Sequence, residues 1–146
     1  MSELRALSKN INPDTIKNLN IIEAVKLELQ RFNRLNFLTT HFKIIGNEKP
    51  IDSNSGTILF RIMQEFFSNT IKHSKGSELS ISLNYTEETL EIIATDNGVG
   101  FNTNTTSVGQ GLANMKKRAE LIKADFLLTS VKNNGSTLKL IYPITL

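Results

Sequence analysis

A glutamate and an asparagine four residues apart, Glu65 and Asn69, lie in the apolar run Ile58 to Ile71 and are followed by Lys72 and His73. On a helix, positions i and i+4 project from one face, and a further step of three carries Lys72 onto the same stripe. An amide oxygen can ligate a hard cation, an ammonium can meet phosphate, and a carboxylate can orient water. The stripe therefore suits a magnesium-bound polyphosphate. Taken alone, it reads equally well as the solvated face of an amphipathic helix.

Two glycine-bearing segments follow. Asp96-Asn97-Gly98-Val99-Gly100-Phe101 comes directly after an apolar stretch. Glycines there permit positive φ and close approach of a ligand to the backbone. An aspartate at a strand end can accept from an exocyclic amine, which adenine offers and guanine does not, so Asp96 would select adenine. The same residues are also strong turn chemistry. Gly109-Gln110-Gly111-Leu112 precedes a helical pattern, and unpaired amides at a helix N-terminus bind anions. The alternative is a flexible connector. Neither a GxxxxGK[ST] loop nor a dinucleotide-binding βαβ fingerprint occurs in the chain.

The elements that must position these residues can be read from periodicity. Asn12-Pro13 reads as a helix start, with apolar residues recurring from Ile16 to Phe32 and the helix running to about Arg34. The stretch from Leu35 to Ile45 predicts a strand, and Gly46 to Pro50 a turn. Asp52, Ser53 or Ser55 can cap the helix that carries Glu65 and Asn69, which should end near Ser74 to Gly76. Leu79, Ile81, Leu83 and Tyr85 alternate with polar residues, and Glu87-Glu88 turns the chain into a second strand, Leu90 to Ala94. Residues 102–108 are expected to form a mobile loop, and a helix from about Leu112 to Lys123 follows it. Phe126 to Val131 and Thr137 to Tyr142 predict a last hairpin around Asn133-Asn134-Gly135. The order predicts an α+β fold: a two-layer sandwich of a mostly antiparallel sheet with helices on one face. The other face should be polar or covered.

Bulk composition narrows the function classes. At 146 residues the chain suits one domain, and 39% hydrophobic with 21% charged residues is a globular composition. Zero cysteines exclude disulfides, iron–sulfur clusters and thiolate chemistry, and two histidines make structural zinc a poor fit. A net charge of +3 with scattered basic residues and no Trp argues against nucleic acid. Neither an apolar run long enough to span a bilayer nor a signal-peptide start is present. A cytoplasmic location is expected, as the cytoplasmic portion of a kinase that could itself be membrane-anchored.

Taken in order, the motifs resemble the catalytic ATP-binding domain of sensor histidine kinases, within the gyrase, heat-shock chaperone, histidine kinase and mismatch-repair ATPase superfamily. Gln64-Glu65-x-x-x-Asn69-x-x-Lys72-His73 resembles the asparagine box of the subfamily paired with helix-turn-helix response regulators. Asp96 to Phe101 resembles the first glycine box, and Gly109 to Ala119 the second. The resemblance covers residues 5–146. It implies the Bergerat ATP fold with ATP and Mg2+ as cofactors. Glu65 would be the catalytic base or water-orienting residue, Asn69 the magnesium ligand, and Lys72 and His73 part of the nucleotide site. Asp96, Gly98 and Gly100 would surround adenine. Residues 101–110 would be the lid, with Gly109, Gly111 and Leu112 near the phosphates.

The chain departs from the family pattern in places. Lys123-Ala124 stands where the family often has Gly-Gly, and Gly135-Ser136 stands for Gly-Thr, so that Ser136 keeps the nucleotide-side hydroxyl. A phosphoacceptor histidine is missing. His41 lies in a predicted strand and His73 in the asparagine box. Residues 4–13 resemble the tail of a dimerisation hairpin. The expected organisation is therefore residues 1–13 as that tail or a linker and residues 14–146 as a monomeric ATP-binding domain. Its γ-phosphate would go to a histidine on a phosphoacceptor and dimerisation domain outside this chain, for relay to a response regulator. The alternatives are a standalone serine kinase of the anti-sigma type, a non-kinase ATP-binding adaptor, and an ATPase clamp.

Overall fold

A computed structural model describes residues 20–74, 78–99, 106–131 and 133–144. The expected helix start at Asn12-Pro13 lies outside them, as do residues 100–105, which include the first part of the loop expected at 102–108. Helix α1 spans Ile21–Arg34, with Asn20 as its N-cap: the Asn20 side chain accepts from the Glu23 N–H at 2.8 Å. Strand β1 is Thr39–Ile45 and helix α2 is Ser53–Asn69, continued by a π turn Thr70–Ser74. The hairpin β2 (Glu78–Tyr85) and β3 (Thr89–Asp96) follows. Helix α3 (Thr106–Leu121) and the hairpin β4 (Asp125–Val131) and β5 (Gly135–Pro143) complete the order.

The five strands form one sheet in the order β1-β2-β3-β5-β4, parallel only between β1 and β2. The parallel pair follows from chain connection: α2 crosses over between them, whereas every other neighbouring pair is antiparallel. Strand alternation sends Leu79, Ile81, Leu83, Leu90, Ile92, Ala94, Leu138 and Leu140 to one face, where they are buried with residues of all three helices. Phe32 of α1 meets Phe67 of α2 edge-on at 5.7 Å, a contact worth about 1 kcal/mol beyond its buried area. The opposite face carries His41, Ser80, Thr95 and Thr137 in one cross-strand row and Lys43, Ser82, Ile93 and Lys139 in the next. This is the polar second face that the alternation implies, and the α+β two-layer sandwich is the observed fold.

Two turns are informative. The Lys123-Ala124 departure leaves the end of α3 unchanged in type: Lys123 adopts φ 58°, and the Ala124 N–H reaches Ala119 O at 2.9 Å. A left-handed residue closes the helix as a glycine would, at a cost of about 1 kcal/mol because Lys has a Cβ. The second helix–sheet difference is larger. α3 begins at Thr106, not near Leu112, so part of the expected loop is helical. Met115 and Ala119 are buried and Leu112 and Ile122 packed beside them, and this anchored face carries the helix back through Gly111 and Gly109 despite their poor propensity.

Of the expected caps for α2, Asp52 serves: it accepts from the Ser55 N–H at 3.0 Å and from the Tyr142 hydroxyl at 3.2 Å. These hydrogen bonds, with the Ser55 N–H foremost, hold its carboxyl below the ordinary value of 3.8. Replacing Asp52 with Ala should destabilise the fold by about 1 kcal/mol, measured by urea unfolding at neutral pH. The folded-state value is depressed, so this contribution is complete above the unfolded value and lost as pH falls through the folded one. The wild-type and variant curves should therefore converge in acid; a difference that persists there would contradict the capping role.

Candidate functional site

The site is built where the C-terminal end of α2 meets the strand ends of β3 and β5. Asp96 is the last residue of β3 and its side chain is buried. Its Oδ1 accepts from the Gly98 N–H at 2.9 Å, which fixes the strand-to-loop turn, and its Oδ2 accepts from the Thr70 hydroxyl at 3.2 Å. Ser136, its cross-strand partner on β5, adds a backbone N–H. Burial nevertheless dominates and pushes the carboxyl above its ordinary value, with the hydrogen bonds opposing it. A carboxylate held in this way is set to gain from one more donor.

Asn69 closes α2 and is buried, and its amide Nδ2 has no hydrogen-bond partner. Buried amides are normally satisfied, so this donor is a cost that the fold carries at the end of α2. Thr70 follows Asn69 in the chain and ties that helix end to Asp96, bringing the asparagine box and the first glycine box into contact. The sequence reading missed Thr70. The only signal was a hydroxyl residue next to Asn69, which acquires meaning once β3 is known to end beside it.

Glu65 lies half-buried one turn earlier on α2, against Gly111 of α3, where any Cβ would collide with the Glu65 carboxylate. This contact joins the asparagine box to the second glycine box. Gly109 and Gly111 do not lie at an open helix end, as expected from sequence. A helix starting at Thr106 has its orphan amides in the turn before Gly109. The physical reason is the packing of Leu112, Met115 and Ala119 on the core, which carries the helix back through the glycines, and the bare Gly111 lets α3 lie against the Glu65 side chain. Leu112 faces the core from α3.

Ser136 also differs from expectation: its hydroxyl donates to Ser130 Oγ at 3.0 Å across the β4–β5 pair, and its link to Asp96 is through the backbone. Lys72 is exposed on the π turn; His73 is in the same turn, its side chain outside the described residues, as is Gly100. His41 lies on β1 in the face turned away from the helices, with Nε2 3.3 Å from Glu78 Oε1. Among the described residues there is no cluster of three or more His, Asp or Glu that could hold a metal, and no helix long and apolar enough to cross a membrane.

A buried polar network supports the site from behind. Glu28 of α1 is buried, accepting from Arg31 at 2.7 Å and from the Gln64 amide at 3.0 Å; the Gln64 oxygen accepts from Arg61 at 2.8 Å. Gln64 is the residue before Glu65, so the network sets the rotation of α2 against α1.

Residues 54–146 match the model of the histidine kinase-, DNA gyrase B- and HSP90-like ATPases. The chain is 34% identical over 150 residues to the sensor protein VraS of Staphylococcus saprophyticus, covering 97% of this chain and 41% of that protein. It is 27% identical over 146 residues to the histidine-protein kinase/phosphatase DegS of Brevibacillus brevis, covering 99% of this chain and 38% of that protein. The chain thus spans about two fifths of the length of these relatives. The fold is shared with the mycobacterial sensor histidine kinase MprB at a TM-score of 0.65 and 16% identity, over 86% of this chain and 95% of that one. The match over residues 54–146 shows that the chain belongs to the histidine kinase-, DNA gyrase B- and HSP90-like ATPase family, and sensor histidine kinases are among the proteins it is similar to.

Proposed function

We propose that the chain is the Mg-ATP-binding catalytic domain of a sensor histidine kinase. In this reading it directs the γ-phosphate of ATP to a histidine on a separate phosphoacceptor and dimerisation domain, which passes it to a response regulator. The observation that carries this reading is the junction at Thr70, whose hydroxyl ties the helix end that bears the buried Asn69 to the buried carboxylate of Asp96. Asp96 would accept from the adenine amino group. Asn69 would hold Mg2+ through its side-chain oxygen, where the ion would neutralise phosphate charge. A site with one amide ligand and the phosphates' own oxygens needs no cluster of acidic side chains. Lys72, exposed at the rim, would meet phosphate, and Glu65 would orient the attacking group or take its proton.

The proposed nucleotide-binding roles of His73, Gly98, Gly100, Gly109, Gly111, Leu112 and Ser136 rest on the resemblance of their motifs to the family's nucleotide boxes. Residues 1–13 would be the tail of the dimerisation hairpin. His41 faces away from the helices, and His73 is tied to α2, so neither can approach a γ-phosphate in line. The domain would work in the cytoplasm.

Three measurements test the reading. Asp96→Asn should weaken ATP binding at least about tenfold, because a donor then faces the adenine amine, and calorimetry should show ATP preferred to GTP in the wild type alone. Equal binding of the two nucleotides by the wild type would sink the adenine assignment. Asn69→Ala should keep its circular dichroism spectrum, since Ala favours helix, while a fluorescent-nucleotide titration loses its magnesium response. A retained response would remove Asn69 from the metal. With radiolabelled ATP, this chain alone should acquire no phosphohistidine, and an added phosphoacceptor hairpin should acquire acid-labile, base-stable label. Acid-stable label would point to a serine kinase instead.

A further inference from the structure

Thr70 joins the two halves of the candidate site, although none of the sequence motifs marks it. It is the C-cap of α2 and the first residue of the π turn, with φ −59° and ψ −48°. Its N–H reaches the carbonyls of Phe66 and Phe67, so the helix itself fixes the backbone at this point. The residue is 1% exposed. Packing alone does not require threonine there. Valine has nearly the same volume and shape, is no worse in a helix, and carries no hydroxyl to take out of water.

What the hydroxyl does is donate to Asp96 Oδ2 at 3.2 Å, across 26 positions of sequence. The other oxygen, Oδ1, accepts from the Gly98 N–H at 2.9 Å, a bond made inside the turn that follows β3. The terminal torsion of an aspartate is soft, so a bond to one oxygen leaves the carboxylate plane poorly set. A second donor, from another element and on the second oxygen, sets it. The backbone N–H of Ser136 supplies a third bond. Of the three donors only Thr70 uses a side chain, so it is the one that a substitution can remove without moving the backbone.

A carboxylate offers about four acceptor positions. With three taken by Gly98, Thr70 and Ser136, one remains, and the other three bonds fix its direction. A hydrogen bond to a carboxylate is stronger than one between neutral groups, so a misdirected acceptor forfeits more than a neutral one would. We propose that Thr70 is a positioning residue of the nucleotide site: by holding the second oxygen of Asp96, its hydroxyl aims the remaining acceptor position at the exocyclic amine of the base and so sets the preference for a base that carries one. This rests on the reading of Asp96 as the adenine acceptor.

The test is calorimetry of the full chain, with magnesium, against ATP and against purine riboside triphosphate, which is ATP without the exocyclic amine. The wild type should prefer ATP at least about tenfold. Thr70→Val should lose most of that preference by binding ATP about tenfold more weakly, while its affinity for the amine-free analogue stays within about twofold. Thr70→Ser keeps the hydroxyl and should restore the preference. Circular dichroism checks each fold, and Thr70→Ala, favourable in a helix, replaces Thr70→Val if that variant does not fold. Equal losses for both nucleotides would mean that Thr70 acts only through the end of α2 and would overturn the proposal. An unchanged preference in Thr70→Val, or a Thr70→Ser that behaves like it, would do the same. A wild type that binds neither nucleotide, or both alike, removes the adenine role of Asp96 and this inference with it. A wild type that prefers ATP leaves that role standing whatever the Thr70 variants do.

Discussion

Helix α2 is pinned to the sheet at both ends, and the rest of the structure depends on it. At its start the Tyr142 hydroxyl donates to the cap residue Asp52, and just past its end the Thr70 hydroxyl donates to Asp96. Between these points Leu59, Phe60, Ile62, Met63, Phe66 and Phe67 are buried, so the helix cannot slide or roll without breaking polar bonds at two places and core contacts throughout. Both pins attach to the antiparallel part of the sheet, Asp96 on β3 and Tyr142 on β5, which are paired over their whole length.

That constraint explains why buried polar groups are tolerated here. Glu28 and Gln64 sit between α1 and α2 inside an apolar layer, and each has its partners: Arg31 and the Gln64 amide for Glu28, Arg61 for Gln64. A satisfied network of this kind resists rotation of one helix on the other more specifically than an apolar contact does. It directly precedes Glu65, which lies on the other side of α2 against Gly111. The two helices beside α2 therefore bear on the same turn, one through a hydrogen-bond network and one through the close approach of Gly111 to the Glu65 side chain.

Asp96 shows how the sheet holds a buried carboxyl group in a fixed direction. Burial raises its pKa, and three donors from three segments, Gly98, Thr70 and Ser136, keep its oxygens oriented. The desolvation cost is met by the fold in advance. In the proposed function, a donor on the ligand would meet a carboxylate that is already fixed in direction, the general advantage of a preorganised polar site.

The sequence by itself determined the element order, the face of each strand that is buried and the residue types that could act. Alternation in Leu79–Tyr85 and in Leu90–Asp96, the Asp52 cap and the Asn-Asn-Gly turn are local physics, written within a few residues of where they act. The spacing of Glu65, Asn69 and Lys72 was legible for the same reason. What only tertiary structure decided depends on residues far apart in the chain. Thr70 matters because β3 happens to end beside it, 26 positions later. The hydroxyl of Ser136 turns to Ser130 because β4 is its neighbour. The helix through Gly109 and Gly111 exists because Leu112, Met115 and Ala119 pack into a core built from distant segments, a term that outweighs glycine's entropy and that no local window contains.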